Sequence, residues 1–339
     1  MRSSCPDSLD TGKKSLLVDT HNRPVEYARI SVTSQCNLRC TYCMREEHEP
    51  HESSVPSLKK HEIKTIIDVL AGLGITKIRF TGGEPLLRSD IVELVEHAKN
   101  TEGIRKVTMT TNGLLLDRYL QRLTDAGLDA LNFSIDSLES ERYHAITRRN
   151  EFERVRANLS KILASKSIRV KVNVVMMRGI NCEEMAEFVG LTREDPVTVR
   201  FMELQPFDDN QIWRTGKFFG ADKIREMLHD RFPDIQQTEG SSTEFFGFRL
   251  PGYKGSIAVI PAFTRNFCSC CNRIRITSDG KVISCLYEKE GFNLLPLLRS
   301  NSDHEALADV FRSAVAHKPE DGKHAAGNSF RASMSEIGG

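Results

Sequence analysis

Nine cysteines occupy positions 5, 36, 40, 43, 182, 268, 270, 271 and 285, and seven of them form two clusters in opposite halves of the chain. The first reads Cys36-x3-Cys40-x2-Cys43. The second reads Cys268-x2-Cys271-x13-Cys285, with Cys270 as a further thiol inside it. Thiolates bind soft metals, as zinc sites or as iron–sulfur clusters. A four-iron cluster held by three thiolates leaves one iron open to an outside ligand, which makes the first triad a place where chemistry can occur. Zinc competes for the first triad, because Cys40-x2-Cys43 is also a zinc spacing. An odd cysteine count in a long chain without a visible secretory leader speaks against a disulfide framework. Cys5 and Cys182 stand alone and receive no role.

Both triads need elements to hold them. β-Branched runs at 29–33, 77–80, 106–110, 130–134, 168–175 and 197–202 predict six strands. Helical spacing of Ile63, Ile66, Ile67 and Leu70, of Ile91, Leu94, Val95 and Ala98, and of Phe152, Val155, Leu159 and Ile162 predicts helices between them. Ser89 is the expected N-cap of the second of these. Six successive βα units favour a parallel sheet that curls: an α/β fold, an incomplete (β/α)6 TIM-type barrel lacking its last two units. Within 168–175, Ile168, Val170, Val172 and Val174 alternate with Arg169, Lys171 and Asn173, so one face packs on helices and the other carries polar groups. That polar face lines either an interior cavity for a polar ligand or the solvent. The first triad follows the first strand, at the end of the sheet where α/β folds place active sites. Beyond about residue 215 the rhythm changes. Short strands at 245–250, 256–260, 273–277 and 281–285 surround the second triad, and a helix at 306–316 precedes a polar tail.

Composition excludes several classes of function. The chain has 339 residues, 39% hydrophobic and 27% charged, which suits a folded protein with a sizeable core. Its 47 Lys+Arg balance 46 Asp+Glu at a net +1, so nucleic acid is not an expected partner, although a local basic cluster can still grip one phosphorylated ligand. No apolar run approaches the roughly 18–20 residues of a membrane span; the best stretch, 172–177, is interrupted by Asn173. The first 25 residues lack an apolar signal core, which leads to the expectation of a reducing compartment, cytoplasm or mitochondrial matrix.

The first triad resembles the hallmark loop of the radical S-adenosylmethionine (SAM) superfamily, and Thr81-Gly82-Gly83-Glu84-Pro85 after the second strand is similar to that superfamily's GGE motif. The resemblance implies that the open iron is chelated by the amino and carboxylate groups of SAM, whose reductive cleavage yields a 5′-deoxyadenosyl radical. It assigns SAM contacts to Tyr42, Gly83 and Ser134. The second triad, followed by Asn272-Arg273-Ile274-Arg275, and the ending Met334-Ser335-Glu336-Ile337-Gly338-Gly339 resemble one branch, the GTP 3′,8-cyclases of the molybdenum cofactor biosynthesis protein A family. The likeness runs from about residue 25 to 339. It implies two [4Fe–4S] clusters, with GTP on the open iron of the second, and a double-glycine tail, Gly338 and Gly339, reaching into the active site. Cys36, Cys40, Cys43, Cys268, Cys271 and Cys285 are then the ligands; Arg29, Arg79, Thr110, Lys171, Arg273, Ile274 and Arg275 are GTP contacts, Ile274 through its main chain. Five cationic side chains converging on a triphosphate are what charge-assisted recognition requires. The chain then divides into an N-terminal segment 1–24, a radical SAM partial barrel 25–215, and a C-terminal region 216–339 for the second cluster, GTP and the tail. The resemblance further implies an external electron donor, a homodimer, and cyclic pyranopterin monophosphate synthase as the downstream partner.

Three positions depart from the family pattern. Gln205 stands where a methionine usually meets the adenine of SAM, Arg45 stands where proline is usual, and Cys270 is extra. Two other readings remain at this point: a radical SAM peptide-modifying enzyme with an auxiliary cluster, and a zinc-binding interaction module.

Overall fold

A computed structural model describes residues 17–43, 57–205, 216–238, 246–264, 268–288, 290–300 and 303–322. A short hairpin, β1 (Leu17–Val18) and β2 (Pro24–Val25), leads into β3 (Tyr27–Ser31). Five more strands follow: β4 (Lys77–Thr81), β5 (Lys106–Thr111), β6 (Ala130–Ser134), β7 (Arg169–Met176) and β8 (Thr198–Glu203). Helices intervene, with α1 (Lys60–Gly72) before β4, α2 (Ile91–Asn100) before β5, α3 (Leu116–Asp125) before β6, α4 (Ser140–Thr147) and α5 (Phe152–Ser165) before β7, and α6 (Met185–Gly190) before β8. Strands β3 to β8 pair in chain order and all in parallel, the six βα units of the expected incomplete barrel.

The C-terminal region extends this sheet at both edges. After α7 (Ala221–Arg231), β9 (Gln236–Thr238) and β10 (Phe246–Arg249) lead to β11 (Ser256–Ile260), which pairs in parallel with β8. β12 (Arg273–Ile276) pairs in parallel with β3, and β13 (Lys281–Ile283) and β14 (Phe292–Asn293) continue outward from it. The boundary expected near residue 215 therefore does not separate two sheets. Two helices, α8 (Leu295–Arg299) and α9 (His304–Ala316), close the described chain, and α9 packs on α1 and on the β1 hairpin strand.

Strand parity explains why the sheet curls around an open space. Side chains of a strand alternate between faces, and one parity is apolar except at the strand ends Thr111 and Glu203: Ala28, Ile30, Ile78, Phe80, Val107, Met109, Leu131, Phe133, Val172, Val174, Val199, Phe201 and Ile274 are all fully buried. They meet the helices through the predicted stripes, including Ile63, Ile66, Ile67 and Leu70 of α1 and Phe152, Val155, Leu159 and Ile162 of α5. Full burial of one such side chain contributes about 1.5–3 kcal/mol, so the stabilising core lies between sheet and helices. The opposite parity carries Arg29, Arg79, Thr110, Ser134, Asn173, Arg200, Arg273 and Arg275, which line a cavity of about 420 Å³. A volume of that order suits a small-molecule site. One local expectation is corrected: Asp90, not Ser89, is the N-cap of α2. Its carboxylate makes no capping bond because Arg88 holds both oxygens, at 2.6 and 3.1 Å.

Candidate active site

The loop after β3 brings Cys36, Cys40 and Cys43 to the wall of the cavity. The glycine-rich loop after β4 is stitched to it backbone to backbone: the Gly83 N–H donates to the Thr33 carbonyl at 2.7 Å and the Glu84 N–H to that of Gln35 at 2.8 Å. A Cβ on Gly83 would lie 2.1 Å from the Gln35 carbonyl oxygen, and one on Gly82, at φ +152°, 2.5 Å from that of Thr33. The glycines are thus required by the approach of two loops, beyond the ligand contact that the motif suggests. Glu84 is fully buried and accepts from the Thr111 hydroxyl at 2.6 Å and from the N–H groups of Asn112 at 2.7 Å and Leu86 at 3.0 Å. The Asn112 amide then reaches Asn37 Oδ1 at 2.8 Å and Cys36 Sγ at 3.8 Å. On the far side of the loop, the Tyr42 hydroxyl donates to Asp136 at 2.6 Å, and Asp136 accepts the Val175 N–H at 2.7 Å.

Burial raises the Cys36 thiol to about 11 and the Cys40 thiol well above its ordinary range, with Glu84 acting on Cys36 and Asp136 and the neighbouring thiols acting on Cys40. Such thiols lose their protons when a bound cation compensates the charge. Three partly buried thiols on one loop, with Cys40 interacting with both others, are chemically suited to a metal cluster.

Below the triad, the floor of the cavity is a ladder of cations. In register, Arg275 of β12 opposes Arg29 of β3, and Arg29 opposes Arg79 of β4; one rung lower, Arg273, Tyr27 and Lys77 are aligned in the same way. The Tyr27 ring lies 4.2 Å from Lys77 Nζ and 5.5 and 5.3 Å from the Arg29 and Arg79 guanidinium carbons, and its hydroxyl accepts from Arg29 Nε at 3.1 Å. Burial opposes ionisation of this phenol, but Arg29, Arg79, Lys77 and Arg273 outweigh it and bring its pKa down to about 7. Burial, Arg29 and Arg273 together push Arg275 well below its ordinary range. Five arginines (Arg29, Arg79, Arg200, Arg273 and Arg275) line the cavity against two carboxylates, Asp136 and Glu203. Both carboxylates are engaged, Glu203 by the N–H groups of Ala221 at 2.6 Å, Phe263 at 2.7 Å and Thr264 at 2.8 Å. Arg275 Nη1 and Asn173 Oδ1 are buried without a hydrogen-bond partner. Such atoms need a polar ligand, and the excess positive charge selects a polyanion.

The second triad opens into the same cavity, whose wall includes Cys268, Cys271 and Cys285. The Cys271 N–H donates to the Cys268 carbonyl at 3.1 Å, and Cys268 Sγ accepts the Gly322 N–H at 3.2 Å. Burial raises Cys285 to about 11, whereas at Cys271 the opposing charges of Lys318 and Arg273 overcome burial and lower the thiol to about 7. The interaction of Cys268 with both other thiols makes the set chemically suited to a second cluster.

Most of the residues singled out in the sequence meet here. Tyr42, Gly83, Ser134 and Gln205 line the upper part, with Gln205 Nε2 donating to the Ala262 carbonyl at 3.0 Å. Arg29, Arg79, Thr110, Arg273 and Arg275 line the floor. Lys171 shares the inner parity of Asn173 but lies one rung deeper, opposite Asn132 and Thr198, and is not part of the wall. Ile274 turns its side chain to the apolar face, opposite Ala28. Gly338, Gly339 and Arg45 lie outside the described residues. Cys270 is not part of the wall. Arg200 was not singled out in the sequence, although strand parity with Met202 points to it; Glu84 was quoted only as part of the glycine-rich motif, and Asp136 and Lys318 carry no such sequence signal.

Open parallel barrels with a three-cysteine loop at the mouth define radical SAM proteins, and the profile of the Radical SAM superfamily matches residues 30–192, while that of Molybdenum Cofactor Synthesis C matches 197–324. Among curated relatives, a GTP 3′,8-cyclase of Chlorobaculum tepidum is 51% identical over 97% of this chain and 99% of its own, and one of Desulforamulus reducens is 39% identical over 95% and 100%. Molybdenum cofactor biosynthesis protein 1 of Dictyostelium discoideum is 39% identical over 90% of this chain, which spans 49% of that longer protein. The chain belongs to the GTP 3′,8-cyclase family. In structure, Streptococcus suis SuiB bound to S-adenosylmethionine matches at a TM-score of 0.59 and 17% identity, over 86% of this chain and 69% of that one, a likeness of fold. No helix among the described residues is long and apolar enough to cross a membrane.

Proposed function

We propose that this chain is a GTP 3′,8-cyclase, converting GTP with SAM to (8S)-3′,8-cyclo-7,8-dihydroguanosine 5′-triphosphate, the first step of molybdenum cofactor synthesis. The observation that carries this reading is that both thiol triads and the arginine ladder line one cavity. Identities of 51% and 39% to curated cyclases over nearly the whole chain favour this reading over the peptide-modifying and zinc-module alternatives.

Cys36, Cys40 and Cys43 would hold one [4Fe–4S] cluster, and Cys268, Cys271 and Cys285 a second. When bound, the clusters and SAM supply the one-electron chemistry that removes the ribose 3′ hydrogen and permits C3′ to bond to guanine C8. The chain's own part is orientation. Tyr42, Gly83, Ser134 and Gln205 hold SAM above; Arg29, Arg79, Thr110, Arg273 and Arg275 hold the nucleotide below, with the Ile274 main chain between the last two and Lys171 a rung beneath them. Charge-assisted bonds from a rigid sheet fix the triphosphate, which limits where C3′ and C8 can lie. The two regions 25–215 and 216–339 then divide the work, one for SAM and one for the second cluster, and Gly338 and Gly339 support the site. An external electron donor, a homodimeric state, a cytoplasmic location and delivery of product to cyclic pyranopterin monophosphate synthase complete the proposal.

Anaerobically reconstituted protein, given SAM, dithionite and GTP, is expected to form a product of the mass of GTP by an isomerising cyclisation. SAM cleavage indifferent to GTP would contradict the assignment.

A further inference from the structure

Lys318, two residues past α9, is 3% exposed and has no carboxylate partner among the described residues. Its ammonium donates to the main-chain carbonyls of Arg273 at 2.7 Å and Ser284 at 2.5 Å. Those carbonyls bracket the second triad, since Arg273 follows Cys271 by two positions and Ser284 immediately precedes Cys285. Two carbonyls solvate an ammonium without neutralising it. A buried charge requires a counter-charge nearby, and the triad whose two flanking carbonyls hold the ammonium is the group placed to supply it. Arg273 also acts on Cys271 and Asp321 on Cys268, while two further charges around the triad are engaged elsewhere. Glu288 accepts the N–H groups of Ser284 and Cys285 and the Ser284 hydroxyl, and Arg23 pairs with Asp19 at 2.6 Å.

The position of Lys318 is fixed from outside the sheet. Arg23 donates to the carbonyls of Cys268 at 2.5 Å, Pro319 at 2.6 Å and Glu320 at 2.8 Å, while the Gly322 N–H reaches Cys268 Sγ at 3.2 Å. Residues 318–322 thus form a strap across the triad, clamped by the hairpin that precedes β3. A side chain so held cannot swing away to solvent when the charge beside it changes.

We propose that Lys318 is the positioning residue that sets the electron affinity of the second iron–sulfur centre, its ammonium stabilising the reduced, more negative state of a cluster held by Cys268, Cys271 and Cys285. The inference rests on the two-cluster reading above. Net charge and hydrogen bonding around the sulfurs are principal determinants of cluster potentials, and a fixed cation in a buried site acts with little solvent screening. Loss of that cation makes reduction harder, and a guanidinium in its place preserves the sign of the effect.

The test uses full-length protein reconstituted anaerobically, as wild type, Lys318→Met and Lys318→Arg, with iron and sulfide counted and each cluster followed by EPR in a redox titration. About eight irons per chain are expected in all three, the content of two four-iron clusters. At a fixed poise, the ratio of reduced to oxidised second cluster is expected to fall about tenfold in Lys318→Met, equivalent to 59 mV for a one-electron couple. The first cluster, in the same sample, should not shift, and Lys318→Arg should titrate near wild type. Coincident titrations of wild type and Lys318→Met, an equal shift in both variants, or a Lys318→Met protein lacking its second cluster would each overturn the proposal. A wild type with only four irons per chain would overturn the two-cluster reading itself, and that result is visible before any titration.

Discussion

Arg29 on β3 and Arg275 on β12 are direct cross-strand neighbours on the inner face of the sheet, although they come from opposite ends of the sequence. Arg79 of β4 opposes Arg29 on its other side. Like charges directly opposite one another destabilise a sheet, so this rung is built for an anion to lie across it.

Arg275 offers the most direct probe of that rung, because its Nη1 is buried without a protein partner. Arg275→Gln is expected to weaken GTP binding about 10- to 100-fold, the equivalent of one charge-assisted hydrogen bond at about 1.5–3 kcal/mol. Calorimetric titration with GTP measures it, and unchanged affinity would remove Arg275 from the nucleotide site.

Tyr27 is expected to make nucleotide binding depend on pH. Its phenol titrates near 7 because four cations surround it, and above that pH the phenolate competes with the triphosphate for Arg29 and Arg79. Binding GTP should restore the proton, so affinity is expected to fall as pH rises above 7, by up to about tenfold per unit. Tyr27→Phe should give a nearly flat profile over the same range. The same slope in both proteins would show that another group is responsible.

Gly83→Ala tests the stitch between the two loops that carry the first triad. The added Cβ would meet backbone atoms of Gln35 and Ser34 that have no room to yield. Overpacking of this kind costs about 1–3 kcal/mol, so a lowered Tm together with loss of the first cluster's iron is expected. Full iron content at an unchanged Tm would mean that the loops separate more easily than their hydrogen bonds suggest.

Glu84→Gln separates charge from shape. All three partners of Glu84 are donors, and a glutamine amide must turn its own donors toward one of them. Leaving a buried donor unmade costs about 1–3 kcal/mol, which a thermal melt of the cluster-free protein would register. Burial holds the Glu84 carboxyl at about 7, above its unfolded value. Its contribution to wild-type stability is therefore fully present below the unfolded pKa and is lost as pH rises through 7, and the glutamine variant should lack that slope. A melt with the same pH dependence in both proteins would assign the slope elsewhere.

What the sequence made legible follows from short-range pattern. The six barrel strands and three of their helices were readable because alternation and the 3.6-residue period are local consequences of burying one face, whereas the polar parity of 169–173 fitted an inner cavity and solvent equally, and only Asn173 of it lines the cavity. Both triads and the basic residues beside them were readable because their spacing is chemical. The pairing of β11 with β8 and of β12 with β3 was not, since it depends on contacts between distant segments. For the same reason nothing in the sequence links Lys318 or Arg23 to the second triad. The depth of Lys171 and the outward turn of Ile274 required the register, because a shift of one residue moves a side chain to the other face.

The central claim is that one cavity presents a nucleotide to chemistry arising at both triads. A single anaerobic turnover with GTP deuterated at the ribose 3′ position tests it most directly. The account predicts deuterium in the 5′-deoxyadenosine recovered, and SAM cleavage that requires GTP. Deuterium-free 5′-deoxyadenosine, formed at the same rate without GTP, would contradict it.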